Sequence, residues 1–145
     1  MQALLLVAHG SRRMASNEEV QGVAQQVAAL AGARFAYVRS AFLELTTPSI
    51  PEGIADCVAQ GATTIVVMPY FLAAGRHVVQ DVPALVQESR LKYPQVAIRL
   101  SAYLGAAPRM PELILETVDS GHCLCGKPMG EADCEWPICM QAVTG

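Results

Sequence analysis

Residues 4–8 and 64–68 form two short runs with no polar alternation, and this pattern constrains the fold more than any other feature of the chain. Strands of that kind are covered on both faces, as in a parallel sheet with helices above and below. The first run ends abruptly in His9-Gly10-Ser11, the second in Pro69. Ligands of open α/β sheets bind just outside the carboxyl ends of the strands, so His9 stands where chemistry is usually done. Gly10 lets the backbone turn there and leaves room for a ligand. A lone histidine at a strand end is as readily structural as functional. A second histidine, His77, follows the other buried run.

The remaining elements fill in around these two runs. Ser16 and Glu19 have the spacing of a capping box, followed by Val20, Val23, Val27 and Leu30 at helical intervals, with Gly32 closing the helix. Residues 34–40 alternate and read as an edge strand, followed by a loop over residues 42–48. Ser49 and Glu52 form a second capping box, and Ile50, Ile54, Cys57 and Val58 line the next helix. A long loop, residues 70–80, leads to Asp81 as a helix cap with Pro83 in the first turn. Val96, Ile98 and Leu100 alternate as the other edge strand. Met110, Leu113, Ile114 and Val118 mark a last helix that Pro111 starts. Four βα units in series predict an α/β fold with one open, parallel four-stranded sheet flanked by helices, in the order 2-1-3-4. His9 and His77 then emerge at the switch point. Apolar periodicity ends near Asp119, dividing the chain into an α/β domain, residues 1–118, and a cysteine-rich tail, residues 119–145.

Composition narrows the function. At 145 residues, 52% of them hydrophobic and 16% charged, the chain can bury a core as one domain. A net charge of −3 argues against a nucleic-acid binder. No apolar run is long enough to span a bilayer, and nothing at the amino terminus reads as a signal peptide, so a cytoplasmic location is expected. Two imidazoles facing each other across a crevice can bind a divalent metal of the zinc, iron, cobalt or nickel class. Glu44 and Asp81 are acidic candidates beside them, as ligands or proton acceptors, although capping alone accounts for Asp81. Arg12, Arg13, Arg39 and Arg76 fall near the carboxyl ends of strands one, two and three. Arginines gathered on the ligand edge of an acidic protein suggest an anionic ligand, since guanidinium forks bind carboxylates bidentately.

Residues 8–12 (Ala8-His9-Gly10-Ser11-Arg12), 42–44 (Phe42-Leu43-Glu44) and 75–83 (from Gly75-Arg76-His77 to Pro83) together resemble the short sirohydrochlorin chelatases of the CbiX and SirB type. The resemblance runs from residue 2 to about 118. It implies ATP-independent insertion of Co²⁺ or Fe²⁺ into a carboxylate-rich, sirohydrochlorin-type tetrapyrrole, in cobalamin or sirohaem biosynthesis. It also implies a homodimer whose cleft the partner completes. His9 and His77 fall on the metal-entry histidines and Glu44 on the acidic residue after the second strand. Ser11, Arg12, Arg13, Arg39 and Arg76 are the expected substrate contacts. A non-catalytic metal carrier or sensor using the same histidines is the alternative from another class.

The tail departs from the minimal family pattern. Cys123, Cys125, Cys134 and Cys139 lie within 17 residues and could hold an iron–sulfur cluster or Zn²⁺. In a reducing compartment such a cluster more readily binds metal than forms bridges.

Overall fold

The computed structural model describes residues 1–124 and 128, with His77 described through its backbone. Four parallel strands, β1 (Gln2–Ala8), β2 (Tyr37–Phe42), β3 (Thr64–Pro69) and β4 (Ala97–Leu100), form one sheet in the order β2-β1-β3-β4. Helix α1 (Met14–Ala31) connects β1 to β2, α2 (Ile50–Ala59) connects β2 to β3, and α3 (Val82–Lys92) connects β3 to β4. The β1-to-β2 crossover steps one way along the sheet and the next two step the other way. Right-handed connections therefore put α1 on one face and α2 with α3 on the other. The winding reverses between β1 and β3, as the two uninterrupted apolar runs predict.

The core lies on the face of α2 and α3. Leu5, Val7, Ile65 and Val67 point from the central strands into it and meet Ile50, Ile54, Cys57, Val82 and Val86. All nine are essentially inaccessible to solvent. The side chains that alternate with them on β3, Val66 and Met68, are only half-buried, so the second face is the less completely covered. Burial also governs the one cysteine in the sheet unit: the Cys57 thiol is pushed up to about 11, chiefly by desolvation, with Asp56 adding to the shift. It is a packing residue, with almost no thiolate at neutral pH.

Local starts and stops depart from the sequence reading in four places. Helix α1 begins at Met14 with Arg13 at its cap position and no side-chain cap, so Ser16 lies within the first turn and does not form the capping box with Glu19. Leu30 does not reach the sheet and is 89% exposed. A 3₁₀ turn (Gly32–Arg34) takes up the residues after α1 and carries β2 to Phe42, which is fully buried as the strand's last residue and not part of a loop. A π-helical turn (His77–Asp81) leads straight into α3, so the chain is already helical at Asp81 and its side chain caps nothing. The Ser49 hydroxyl does accept from the Glu52 amide, at 3.2 Å, as the second capping box requires.

Contacts divide the chain into two compact units, residues 1–107 and 108–145. The sequence reading places its break at 118/119. The difference is helix α4 (Met110–Asp119), which groups with the tail. Its apolar side chains Leu113, Ile114, Leu115 and Val118 are each more than half exposed.

Candidate metal-handling site

The ladder between β1 and β2 runs on past the strand ends. The Leu43 amide donates to the Ala8 carbonyl at 3.0 Å, and the Glu44 amide to the His9 carbonyl at 3.1 Å. This brings the two side chains side by side. His9 Nε2 and Glu44 Oε1 are 2.8 Å apart, with 43% and 55% of the side chains exposed. A carboxylate in that position fixes the orientation of the imidazole, the arrangement that metal-binding and proton-accepting histidines use.

Gly10 makes the pairing possible. Its φ is +95°, and a Cβ there would overlap the Glu44 carbonyl oxygen. Leu45, next along, is held in the left-handed region at φ 68° without being glycine. Such a conformation costs about 1–2 kcal/mol per residue and is sustained by the surrounding structure at functional turns.

Asn17 closes the loop from below. Fully buried at the start of α1, it accepts from the Ser11 amide at 2.9 Å and donates to the Ser11 carbonyl at 2.8 Å. One side chain thereby satisfies both backbone groups of the residue that follows His9-Gly10. The sequence reading missed it. An asparagine inside an apparent capping box signals a helix start, whereas its real work is on the loop before the helix. Ser11 itself accepts from the Arg13 amide through Oγ at 3.0 Å, a local turn contact.

Across the edge, Glu44 and Asp81 line one cleft of about 320 Å³ with Leu43, Ala84 and Leu85. The backbone of His77 opens the π-helical turn that ends at Asp81, and extra residues in helical turns of this kind recur at functional sites. Arg12 and Arg76 are exposed on the loops after β1 and β3, and neither makes an ion pair among the described residues. Both are available to an anion. Arg13 donates to Ser16 Oγ at 3.4 Å.

Arg39 is not at this edge. It pairs with Leu5 in mid-strand, three residues short of Phe42, which puts it about 10 Å from the strand end. Its Nε lies 3.1 Å from Asp56 Oδ2 and its Nη1 donates to Tyr37 Oη at 3.3 Å. The Tyr37 hydrogen bond, more than any other contact, holds its charge more firmly than in water. Its partners make it a strut between β2 and α2.

Among the described residues no three His, Cys, Asp or Glu side chains form a metal-holding group. Of the tail cysteines only Cys123 is described, and it is disulfide-bonded. Cys125, Cys134 and Cys139 lie outside the described residues.

The CbiX family model matches residues 3–120. The chain belongs to the CbiX family. Among its CbiX relatives, the chloroplastic sirohydrochlorin ferrochelatase of Arabidopsis thaliana is 32% identical over 130 residues, 90% of this chain and 56% of that protein. The sirohydrochlorin cobaltochelatase of Sulfurisphaera tokodaii is 34% identical, over 82% of this chain and 92% of its own length. The sirohydrochlorin chelatase SirB from Bacillus subtilis subspecies spizizenii, solved in complex with cobalt, superposes with a TM-score of 0.72 at 29% identity. That match covers 82% of this chain and 50% of SirB. This CbiX chain thus spans about half the length of the plant and Bacillus proteins and nearly all of the archaeal one.

Proposed function

We propose that this chain inserts Co²⁺ or Fe²⁺ into a sirohydrochlorin-type tetrapyrrole without ATP. The observation that carries the reading is the His9–Glu44 pair, locked by backbone hydrogen bonds at the carboxyl edge of a CbiX fold. The substrate names of the relatives and the cobalt bound to SirB support it.

Insertion requires the metal to shed water and two pyrrole N–H protons to leave as four metal–nitrogen bonds form. His9 ligates the incoming metal or accepts a proton, and Glu44 orients and charge-balances it. His77 stands as the second metal-entry histidine. Arg12 and Arg76 hold the acidic side chains of the ring, whose carboxylates match a guanidinium fork. Metal-ligand exchange passes through no covalent enzyme intermediate, so no nucleophile is called for. Among the described residues no helix is long and apolar enough to cross a membrane.

The active species in this reading is a homodimer. The match covers about half of the plant and Bacillus proteins, a second copy would supply a matching half of the walls around a macrocycle, and the exposed apolar side chains of α4 offer surface to bury. Sedimentation at micromolar protein is expected to give a dimer; a fully active monomer contradicts this part. The tail as an iron–sulfur or zinc site rests on the spacing of its four cysteines, against the Cys123 disulfide. Anaerobic protein that is brown and carries acid-labile sulfide supports a cluster, stoichiometric zinc without sulfide supports a metal knot, and metal-free protein removes both.

The deciding experiment is anaerobic incubation of purified protein with sirohydrochlorin and each metal, followed by visible absorption. Turnover establishes a chelatase. Metal binding that leaves the tetrapyrrole metal-free makes the chain a carrier instead.

A further inference from the structure

The loop after β3 carries Arg76 and His77, yet residues 72–76 are all exposed and Leu72 is 74% accessible. Something other than burial has to set where these residues stand. The loop's first residues are held from two sides. On the sheet side, the Tyr70 amide donates to the Val7 carbonyl at 2.7 Å. On the other side, the chain leaving β4 turns through a short 3₁₀ segment (Leu104–Ala106) laid directly against the loop backbone.

At that contact the Gly105 amide donates to the Phe71 carbonyl at 2.9 Å. A Cβ at position 105 would overlap the Leu72 carbonyl oxygen and lie 2.9 Å from the Leu72 Cα. The obstacle is backbone, not the end of a flexible side chain, so it cannot swing aside. Beside it, Leu104 closes a small apolar cavity of about 150 Å³ with Tyr70, Phe71 and Leu72. The same device holds Glu44, whose carbonyl sits where a Cβ of Gly10 would be. Each loop flanking the site is thus seated on a glycine that leaves room only for a carbonyl.

We propose that Gly105, with Leu104 beside it, is a positioning residue that sets the loop bearing Arg76 and His77 for metal handling, a role that rests on the chelatase reading of the site. Gly105→Ala forces Leu72 outward, and the displacement passes along the exposed segment to Arg76 and His77, four and five residues on. Misplacement by an ångström can cost a reaction about a hundredfold, so a loss of about tenfold or more in kcat/KM for the metal is expected.

The test uses the full-length chain in four forms: wild type, Gly105→Ala, Leu104→Ala and Ile98→Val. The last trims the β4 core and matches any modest loss of stability. Metal KM and kcat are measured at 25 °C, and amide hydrogen exchange is followed over residues 70–82. The proposal expects faster exchange confined to that segment and a raised metal KM in Gly105→Ala and Leu104→Ala, with neither change in Ile98→Val. Wild-type KM and wild-type exchange in both loop variants overturn it. Should Gly105→Ala fail to fold, Leu104→Ala decides by the same two readouts. A wild-type protein that inserts no metal refutes the chelatase reading, and the exchange data alone then decide whether Gly105 seats the loop.

Discussion

The two sides of the site are built differently. On the β1–β2 side, backbone hydrogen bonds continue past the strand ends, Gly10 admits the Glu44 carbonyl, Asn17 ties down Ser11, and His9 meets Glu44 at 2.8 Å. On the β3 side, residues 72–76 stand in solvent above a base fixed at Tyr70 and Phe71, and the backbone becomes helical at the π-helical turn His77–Asp81. One side is preformed and the other is held at its root. In the proposed chelatase reading, the preformed pair is the side that receives the metal, and the loop with Arg76 and His77 is the side that meets the tetrapyrrole. The contrast teaches that a strand ladder carried past its ends can preform a side-chain pair, whereas a loop beyond the ladder is fixed only at its root.

Removing the preformed side should have the largest effect. His9→Ala is expected to lower the insertion rate by about 10²–10⁴, the range for a positioned proton-transfer group, with the folded state retained because the side chain lies outside the core. Circular dichroism and visible absorption check the two halves of that statement. Glu44→Gln keeps the size and loses the charge that balances His9, and a loss of about 10–100-fold is expected for such an orienting partner. A ratio of effects with Glu44 exceeding His9 would reverse the roles assigned to the pair.

The support beneath that side gives a stability effect. Asn17→Ala leaves the Ser11 amide and carbonyl without their partner, at a cost of about 1–3 kcal/mol read from urea denaturation. Insertion should fall with it because the His9 loop loosens, whereas a variant destabilised without loss of activity would show that the loop holds itself. On the open side, Arg12→Ala and Arg76→Ala are expected to raise KM for the tetrapyrrole by about tenfold each, as a lost charge-assisted contact implies, with metal KM unchanged.

The smallest effects should come from residues outside both regions. Arg39→Ala removes the strut to Tyr37 and Asp56, so stability is expected to drop by less than about 1 kcal/mol, as for half-exposed ion pairs, with kcat/KM unaffected. A raised tetrapyrrole KM would return Arg39 to the substrate site. Cys57, with its thiol pushed up to about 11, should resist alkylation in the native protein at pH 8, where only roughly a thousandth is thiolate, and react once unfolded.

Much of this was legible in the chain. The uninterrupted runs at 4–8 and 64–68 placed β1 and β3 at the centre, and the order 2-1-3-4 followed from them. His9, Gly10 and Glu44 were legible because strand ends and a turn mark them locally. Arg39 was misplaced because β2 was read as ending at residue 40, and two residues decide whether a side chain sits on the edge or in mid-strand. Asn17 and Gly105 were invisible for a common reason: each acts on backbone elsewhere in the chain, and a contact with backbone leaves no pattern of side chains to read. Asp81 looked like a cap because the π-helical turn ahead of it has no sequence signature of its own.

The central claim is that the His9–Glu44 edge of this CbiX fold inserts a metal. Anaerobic insertion of Co²⁺ and of Fe²⁺ into sirohydrochlorin, with wild type and His9→Ala run side by side, tests it most directly. The account predicts loss of the free-base absorption bands with the wild-type protein and little change over the metal-only background with His9→Ala. Equal rates for the two proteins, or no turnover by wild type with either metal, would contradict it.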